Sequence, residues 1–177
     1  MSALIWIILI AIAALLIYAA TRPKTFRLER STTIATAPDR VLELIGDFRN
    51  WPRWSPWEKL DPDLKRTYSG AESGVGATYD WQGNGKAGVG RMQITEASPS
   101  KVLIDLDFLK PFKASNKTEF TLAPSDSGTR VNWAMFGPQP FLMRMMGIFM
   151  NAEKMIGPQF EEGLANLKRE AEQKRLN

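Results

Sequence analysis

The residue types that most often carry catalysis or bind metals are missing from this sequence, which has no cysteine and no histidine. Disulfides, thiol nucleophiles, Cys/His zinc sites and histidine-based triads are therefore excluded. Acid–base chemistry would fall to Asp, Glu, Lys or Tyr. We expect no metal and no cofactor, because a metal site would need several oxygen ligands from scattered strands.

One pair of carboxylates has the spacing of a catalytic pair. Asp105 and Asp107 are two residues apart on a predicted strand, so they share one face of it, as a paired-carboxylate site would require. The opposite face carries Ile104, Leu106 and Phe108, which are the residues expected to face the core. This pattern places the two acids on the solvent side, and we predict no catalytic residue among them.

A glycine-rich segment at residues 83–88 matches the letters of a dinucleotide-binding loop, Gly-Asn-Gly-Lys-Ala-Gly. Such a loop must open a helix whose N-terminus faces the pyrophosphate. The residues that follow, 89–94, alternate between apolar and polar side chains, which is typical of a strand. The segment is therefore interpreted as a hairpin turn.

The aromatic residues are more informative about function. Trp51, Trp54 and Trp57 recur at every third position, and Trp81 and Trp133 fall on apolar faces of predicted strands. Core packing is the simplest interpretation, because aromatic side chains dominate core burial. The alternative is that several of them line an apolar ligand pocket.

The segment 141–150 is apolar on nearly every side, and Arg144 is its only charged residue. A helix resting on a sheet needs only one apolar stripe, so this segment has a surplus of apolar surface. Three interpretations stay open: ordinary core, a flexible methionine-rich lid over a pocket, and contact with a membrane or partner.

The elements that position these residues follow from the spacing of apolar side chains. Alternation with a period of two predicts half-buried antiparallel strands, about six of them, between residues 64 and 137. A strand over 26–35 and a short helix over 38–48 precede them, and a long helical pattern with a break or kink at Gly157-Pro158 follows. The predicted class is α+β, with a cavity where the helix leaves part of the sheet uncovered.

The first twenty residues have a different composition from the rest. Residues 3–20 form an unbroken run of 18 apolar residues, about 27 Å long as a helix, which is close to the hydrocarbon thickness of a bilayer. A cleaved signal peptide and a buried soluble helix are the alternatives, but no Lys or Arg precedes the run and it exceeds a usual h-region. We predict a transmembrane anchor over 1–20, a basic linker over 21–25 and one domain over 26–174.

The charge distribution indicates on which side of the membrane the domain lies, and it argues against nucleic acid as a partner. Of the formal net charge of +4, residues 21–30 alone carry +3. Positive charge on the C-terminal side of the span predicts a single-pass protein of a bacterial-type inner membrane whose domain is cytoplasmic. Because the remaining chain is nearly neutral, no broad cationic face exists for nucleic acid, and no nucleic-acid partner is expected.

Several short segments follow one another in a characteristic order: Ala37-Pro38 before the helix, Trp-Ser-Pro-Trp at 54–57, residues 88–94, 106–108 and 110–112, Thr-Arg-Val at 129–131 before Trp133, Gly-Leu at 163–164 and Leu-Lys at 167–168. With these segments the sequence resembles the START-like, SRPBCC superfamily, in its polyketide cyclase/dehydrase-type branch. The resemblance implies a helix-grip fold, in which a seven-stranded antiparallel sheet wraps round a long C-terminal helix and leaves a hydrophobic cavity. Members bind lipids, sterols or polyketides, and some act as aromatase/cyclases or cochaperones. The superfamily has no universal catalytic motif to transfer.

We therefore predict a membrane-tethered module that binds a hydrophobic small molecule, lipid or polyketide-like, and that is not an enzyme. Two alternatives stay open: a cyclase or hydrolase using Tyr79, Asp80 or Arg91, and a protein-interaction module with a collapsed cavity. The predicted partners are the small molecule and the lipid bilayer. The predicted pocket residues are Trp54, Tyr79, Trp81, Met92, Ile94, Leu106, Phe108, Phe120, Trp133, Met135, Met145 and Phe149.

Overall fold

The computed structural model describes residues 3–149 and 152–173 of the chain. The helices there are α1 (Ala3–Thr21), α2 (Pro38–Gly46), α3 (Phe141–Phe149) and α4 (Ala152–Glu172). The strands are β1 (Thr25–Ile34), β2 (Lys65–Gly70), β3 (Ala77–Gln82), β4 (Val89–Ser98), β5 (Lys101–Lys110), β6 (Ala114–Ser125) and β7 (Gly128–Pro138). Two 3₁₀ turns, Phe48–Arg53 and Pro56–Lys59, connect α2 to β2. Residues 1, 2 and 174, which bound the predicted anchor and domain, lie outside the described residues.

The strands form one antiparallel sheet in the order β1-β7-β6-β5-β4-β3-β2. The first strand closes onto the last, so that Thr25 lies opposite Pro138 and Ile34 lies opposite Thr129. Hairpins join the strands from β2 to β7. Each strand turns every second side chain toward the helices, because successive side chains on a strand point to opposite faces of the sheet. The predicted fold class is confirmed: the chain is α+β, with a seven-stranded sheet and a long C-terminal helix, as in a helix-grip fold.

The C-terminal helix α4 packs across the inner face of the sheet. It buries Phe160, Leu164 and Leu167, which follow the helical spacing of one apolar stripe. Gly163 lies on the same side, and a Cβ there would come within 2.7 Å of the Trp133 ring. The glycine therefore allows α4 to approach the sheet more closely than any larger residue would.

The two 3₁₀ turns carry indole groups that complete the end of α2. Trp51 Nε1 donates to the carbonyl oxygen of Ile45 at 3.0 Å, and Trp54 Nε1 donates to that of Leu44 at 3.1 Å. The last carbonyls of a helix have no partner within the helix and need one when they are buried. The tryptophans thus supply both apolar volume and the missing donors.

Of the break or kink expected at Gly157-Pro158, the break is wrong, because α4 runs through Pro158 without interruption; the kink stays a prediction. A proline inside a helix removes one backbone hydrogen bond. Pro158 is exposed and lies near the beginning of α4, where water can satisfy the freed carbonyl group.

The N-terminal helix α1 stands outside this packing. It is long and apolar enough to cross a membrane, and only 6% of its most apolar window is buried. Helices of this length and composition at an N-terminus are membrane spans or signal sequences.

Candidate functional site

A cavity of about 150 Å³ lies between the sheet and the first half of α4. Its wall is mostly apolar, and it is formed by five strands, the 3₁₀ turns and α4. The predicted pocket residues that line it are Tyr79, Trp81, Met92, Leu106, Phe108, Trp133 and Met135.

The strand register explains why these side chains meet. Tyr79 lies opposite Met92, and Met92 lies opposite Leu106, so one row crosses three strands on the inner face. The next row holds Trp81, Gly90 and Phe108. A Cβ at Gly90 would lie 2.3 Å from the Trp81 ring. The glycine therefore lets the indole lie across β4 and meet Phe108 edge-to-face, at 5.9 Å between ring centroids.

Three other predicted pocket residues lie in the filled core instead. Trp54, Ile94 and Phe120 are fully buried and do not line the cavity. Trp54 packs edge-to-face on Phe120 and on Trp133, with ring centroids 6.1 and 5.5 Å apart. In this half of the sheet the side chains pack against α2 and the tryptophans, and these three residues belong to the buried core.

The last two predicted pocket residues, Met145 and Phe149, belong to α3. Met145 is half-buried and does not line the cavity. Phe149 ends α3, and its side chain lies outside the described residues. A ligand-binding role for any of the twelve residues stays a prediction.

The sequence did not predict the remaining residues that line the cavity. Most lie in turns without strand periodicity, and the only signals for them were the spacing of the tryptophans and the apolar stripe of α4. These residues are Trp51, Ser55, Trp57, Glu58, Leu64, Ala87, Thr118, Ile156 and Phe160.

Glu58 is the most informative residue among them, because its carboxylate is buried in an apolar wall. One carboxylate oxygen accepts a hydrogen bond from the Tyr79 hydroxyl at 2.7 Å. The other accepts from Arg66 Nε at 2.6 Å. The ion pair with Arg66 compensates the loss of hydration that burial of the carboxylate costs. No sequence spacing pairs Glu58 with Tyr79, because they lie 21 residues apart in different elements.

The electrostatics of this cluster keep the tyrosine neutral. Burial raises the pKa of Tyr79 far above its ordinary value, and its hydrogen bond to Glu58 raises it further. The hydrogen bond that Arg66 donates to Glu58 also raises the pKa of Arg66. The neutral Tyr79 hydroxyl therefore donates a hydrogen bond to Glu58 and keeps its proton. Its oxygen can still accept a hydrogen bond from a polar group in the cavity.

The other polar group on the wall is satisfied internally. Trp133 Nε1 donates to the Thr118 hydroxyl at 2.7 Å, and that hydroxyl donates to the Ala134 carbonyl oxygen at 3.1 Å. Apart from Ser55, Glu58, Tyr79 and Thr118, the residues that line the cavity are apolar or aromatic.

Two charged pairs on the strands lie on the outer face of the sheet, whereas Arg66 of β2 lies on the inner face, opposite Trp81. Arg91 Nε donates to the Asp80 carboxylate at 2.7 Å, and Lys117 pairs with Asp105. Asp80 and Arg91, two of the three residues named for an enzyme reaction, therefore pair with each other away from the cavity. In residues 3–149 and 152–173, no group of three or more His, Cys, Asp or Glu side chains could hold a metal ion.

The glycine-rich segment 83–88 is the hairpin between β3 and β4. Asn84 Oδ1 accepts hydrogen bonds from the backbone N–H groups of Lys86 and Ala87, and Asp61 accepts from that of Asn84. Gly88 has a φ of +68°, which favours glycine. A strand follows it, so the segment lacks the helix N-terminus that a dinucleotide would need.

Comparison with known protein families identifies the family of this chain. The sequence model of the family described as polyketide cyclase / dehydrase and lipid transport matches residues 25–172. The chain therefore belongs to this family. A comparison with curated proteins found no significant match.

Solved structures share the fold at low sequence identity. Protein CV1439 from Chromobacterium violaceum is 17% identical, with 86% of this chain and 100% of that chain covered and a TM-score of 0.58. Protein MLL2253 from Mesorhizobium loti is 20% identical, with 82% and 95% covered and a TM-score of 0.55. The di-domain ARO/CYC BexL, from the BE-7585A biosynthetic pathway, is 10% identical, and its TM-score is 0.63. The match covers 89% of this chain and 53% of BexL.

The family assignment corrects one expectation. The sequence led us to predict a protein that is not an enzyme, because no acid–base, nucleophile or metal cluster was visible in it. That prediction is wrong for the family as a whole. The family is described by cyclases and dehydrases, together with lipid transport, and cyclases and dehydrases are enzymes. The absence of a histidine or cysteine motif was a poor guide, because this fold supports function with scattered residues on a cavity wall.

Proposed function

We propose that the protein holds a hydrophobic small molecule, lipid or polyketide-like, in the cavity between the sheet and α4. The observation that carries this proposal is an aromatic wall with one hydrogen-bonding pair, Tyr79 and Glu58, set into it. Ligand pockets typically combine a mostly apolar lining with a few placed polar groups. The apolar wall supplies affinity, and the Tyr79 oxygen supplies one polar contact that orients the molecule.

The size of the cavity limits what fits without rearrangement. A cavity of about 150 Å³ has room for roughly one benzene-sized ring. Pockets for drug-sized ligands have about 300–1,000 Å³. A polycyclic or lipid ligand would therefore place one end inside and extend through the mouth, or it would widen the cavity.

Native mass spectrometry of the detergent-extracted full chain tests this proposal by detecting a co-purified molecule. The matched variants are Ala87→Trp, which adds an indole where Ala87 lines the cavity, and Ala97→Trp, which adds the same group at an exposed position of β4. We expect Ala87→Trp to lower the bound fraction and Ala97→Trp to leave it unchanged. Absence of any bound molecule, together with equal binding of the apolar dye 1-anilinonaphthalene-8-sulfonate by both variants, would contradict it.

We also propose that α1 tethers the domain to a bacterial-type inner membrane, with the domain on the cytoplasmic side. The support is its apolar length and the positive charge that follows it, at Arg22, Lys24, Arg27 and Arg30. The corresponding division is an anchor over 1–20, a linker over 21–25 and a domain over 26–174. The protein should resist extraction from membranes by alkaline carbonate and retain its full mass of 19.9 kDa. A shorter mature chain would indicate a cleaved signal sequence instead.

A second candidate function is a cyclase-type reaction in the same cavity. The observation that favours it is the Glu58–Tyr79 hydrogen bond, which places a carboxylate and a phenol oxygen at the wall, where they can accept a hydrogen bond or a proton from a bound molecule. An aromatising cyclisation forms a carbon–carbon bond and releases water. If the co-purified molecule is a substrate, prolonged incubation with the protein should lower its mass by one water. Tyr79→Phe should slow this change, and a mass that is stable with both proteins would contradict the reaction.

A further inference from the structure

We infer that the end of the sheet that contains the cavity mouth rests on the lipid bilayer, so that the cavity exchanges its ligand directly with the membrane. This inference rests on the proposed membrane tether. It adds the surface of the domain that contacts lipid and the direction in which the cavity opens.

The strand connections fix which end of the sheet lies next to α1. The chain enters the sheet at Thr25, which lies opposite Pro138 at the end of β7. Because the strands are antiparallel, β6 begins at this end and β5 finishes here, and Lys110 lies opposite Val89 at the beginning of β4. The loops 83–88 and 110–113 therefore lie at the same end as α1. The turn between β6 and β7, which contains Ser127, lies at the far end.

The helix α3 is fixed at the point where α1 meets the domain. Arg144 Nη1 donates to the backbone carbonyl oxygens of Ala20 and Arg22 at 3.1 and 3.2 Å. A cation at the C-terminal end of a helix is stabilised by the helix dipole and by the unpaired carbonyls there. The backbone N–H of Gln139 also donates to the Lys24 carbonyl oxygen at 2.7 Å. The only charge of α3 is thus used to hold it against α1, and Ala19 is fully buried at this end of α1.

The surface around α3 has the composition of a membrane-contacting surface. Phe141 is 41% and Leu142 is 66% exposed on α3, and Phe112 is 67% exposed on the neighbouring loop. Apolar side chains of this size gain free energy when they enter the boundary between headgroups and acyl chains. A tether of three residues between α1 and β1 keeps this surface close to any membrane that α1 spans.

Basic residues lie at the same end of the sheet as the apolar ones. Lys86, Lys110 and Lys113 are exposed, and the two loops that carry them contain no acidic residue. In the described part of the chain, none of these three ammonium groups pairs with a carboxylate. Unpaired lysines beside exposed apolar groups are attracted to anionic lipid headgroups.

The cavity opens toward this same surface. Its deep residues, such as Tyr79 and Trp133, are buried, whereas five lining residues are half-buried: Trp57, Trp81, Ala87, Phe108 and Ile156. Of these, Trp81 and Phe108 lie next to the loops 83–88 and 110–113, and Ala87 belongs to the first of them. A molecule too large for the cavity would thus extend from its mouth into lipid rather than into water, which removes the cost of hydrating its apolar part.

The absence of cysteine makes a direct test straightforward, because single cysteines can be labelled with a fluorophore in the full chain. The full chain is placed in nanodiscs of phosphatidylcholine and phosphatidylserine that contain lipid-attached nitroxide quenchers. Labels are attached in four variants: Phe112→Cys and Leu142→Cys on the proposed surface, Ser127→Cys at the far end, and Leu9→Cys inside α1.

We expect loss of fluorescence at Leu9, Phe112 and Leu142, and none at Ser127. Adding Lys110→Glu and Lys113→Glu to the Leu142→Cys variant should reduce its quenching on the anionic nanodiscs and change it less on phosphatidylcholine alone. Quenching at Leu9 without quenching at Phe112 and Leu142 would overturn the inference and leave the tether intact. No quenching at Leu9 would overturn the tether and the inference together.

Discussion

Removing one hydroxyl group from the cavity wall tests the description of the site most directly. In Tyr79→Phe the ring keeps its place, but the carboxylate oxygen of Glu58 that accepted the tyrosine hydrogen bond loses its donor. Hydrogen bonds to charged groups contribute about 1.5–3 kcal/mol. Arg66 still holds the other carboxylate oxygen, so the charge of Glu58 stays partly compensated. We therefore expect a loss of about 1.5–3 kcal/mol in the free energy of unfolding near neutral pH.

The measurement is urea unfolding of the full chain in detergent micelles, followed by the fluorescence of the tryptophan cluster. Tyr68→Phe is the matched control, because Tyr68 stacks on Tyr79 at 5.2 Å between ring centroids. Within the described residues its hydroxyl group forms no hydrogen bond, so the control should change stability by less than about 0.5 kcal/mol. Equal effects of the two substitutions would refute the assignment of a strong Tyr79–Glu58 bond.

The pH dependence of the same variant provides a second check. Burial, followed by the bond to Glu58, raises the pKa of Tyr79 in the folded state above the unfolded value, which is about 10. The stabilising contribution is therefore complete below about pH 10 and decreases above it, by about 1.4 kcal/mol per pH unit. The stability difference between wild type and Tyr79→Phe should shrink as the pH rises from about 9 to about 11. A difference that stays constant over that range would refute the raised pKa.

Three further substitutions test the packing around the cavity. Trp133→Ala should cost about 3–5 kcal/mol in urea unfolding, because the ring is 3% exposed and is stacked between Phe120 and Phe160; a loss below about 1 kcal/mol would mean that the ring is not part of the packed core. Gly163→Ala should cost about 1–3 kcal/mol despite the better helix propensity of alanine, since its Cβ would meet the Trp133 ring, whereas Gly46→Ala, where nothing lies within 4 Å, should not destabilise. Gly90→Ala should displace the indole that lies across β4 and change the binding of 1-anilinonaphthalene-8-sulfonate, and unchanged binding relative to Gly85→Ala, an open position, would contradict this role.

The sequence by itself determined the elements and the side of each strand that faces the core. The alternation of Tyr79 and Trp81 with Asp80 is a local property, since neighbouring side chains on a strand point to opposite faces wherever the strand is placed. The apolar run of α1 and the stripe through Phe160, Leu164 and Leu167 are local in the same sense. For this reason the α+β class and the outward position of Asp105 followed from spacing alone.

Only the tertiary structure decided where the cavity lies and what chemistry its wall carries. Trp54 and Phe120 have the same apolar character as Trp81 and Phe108, but the first two fill the core and the last two border the cavity. A void is the difference between the space that several elements enclose and the volume of all their side chains, and no single segment contains that information.

The same reason explains Glu58 and Arg144. The carboxylate of Glu58 is a hydrogen-bonded group on the cavity wall because Tyr79 and Arg66 reach it from other elements. The sequence shows Arg144 only as the single charge of an apolar segment. The fold brings its guanidinium group to the carbonyl oxygens at the end of α1. Spacing along the chain determines which face a side chain occupies, whereas its partners depend on contacts between residues far apart in sequence, which form only when the elements pack.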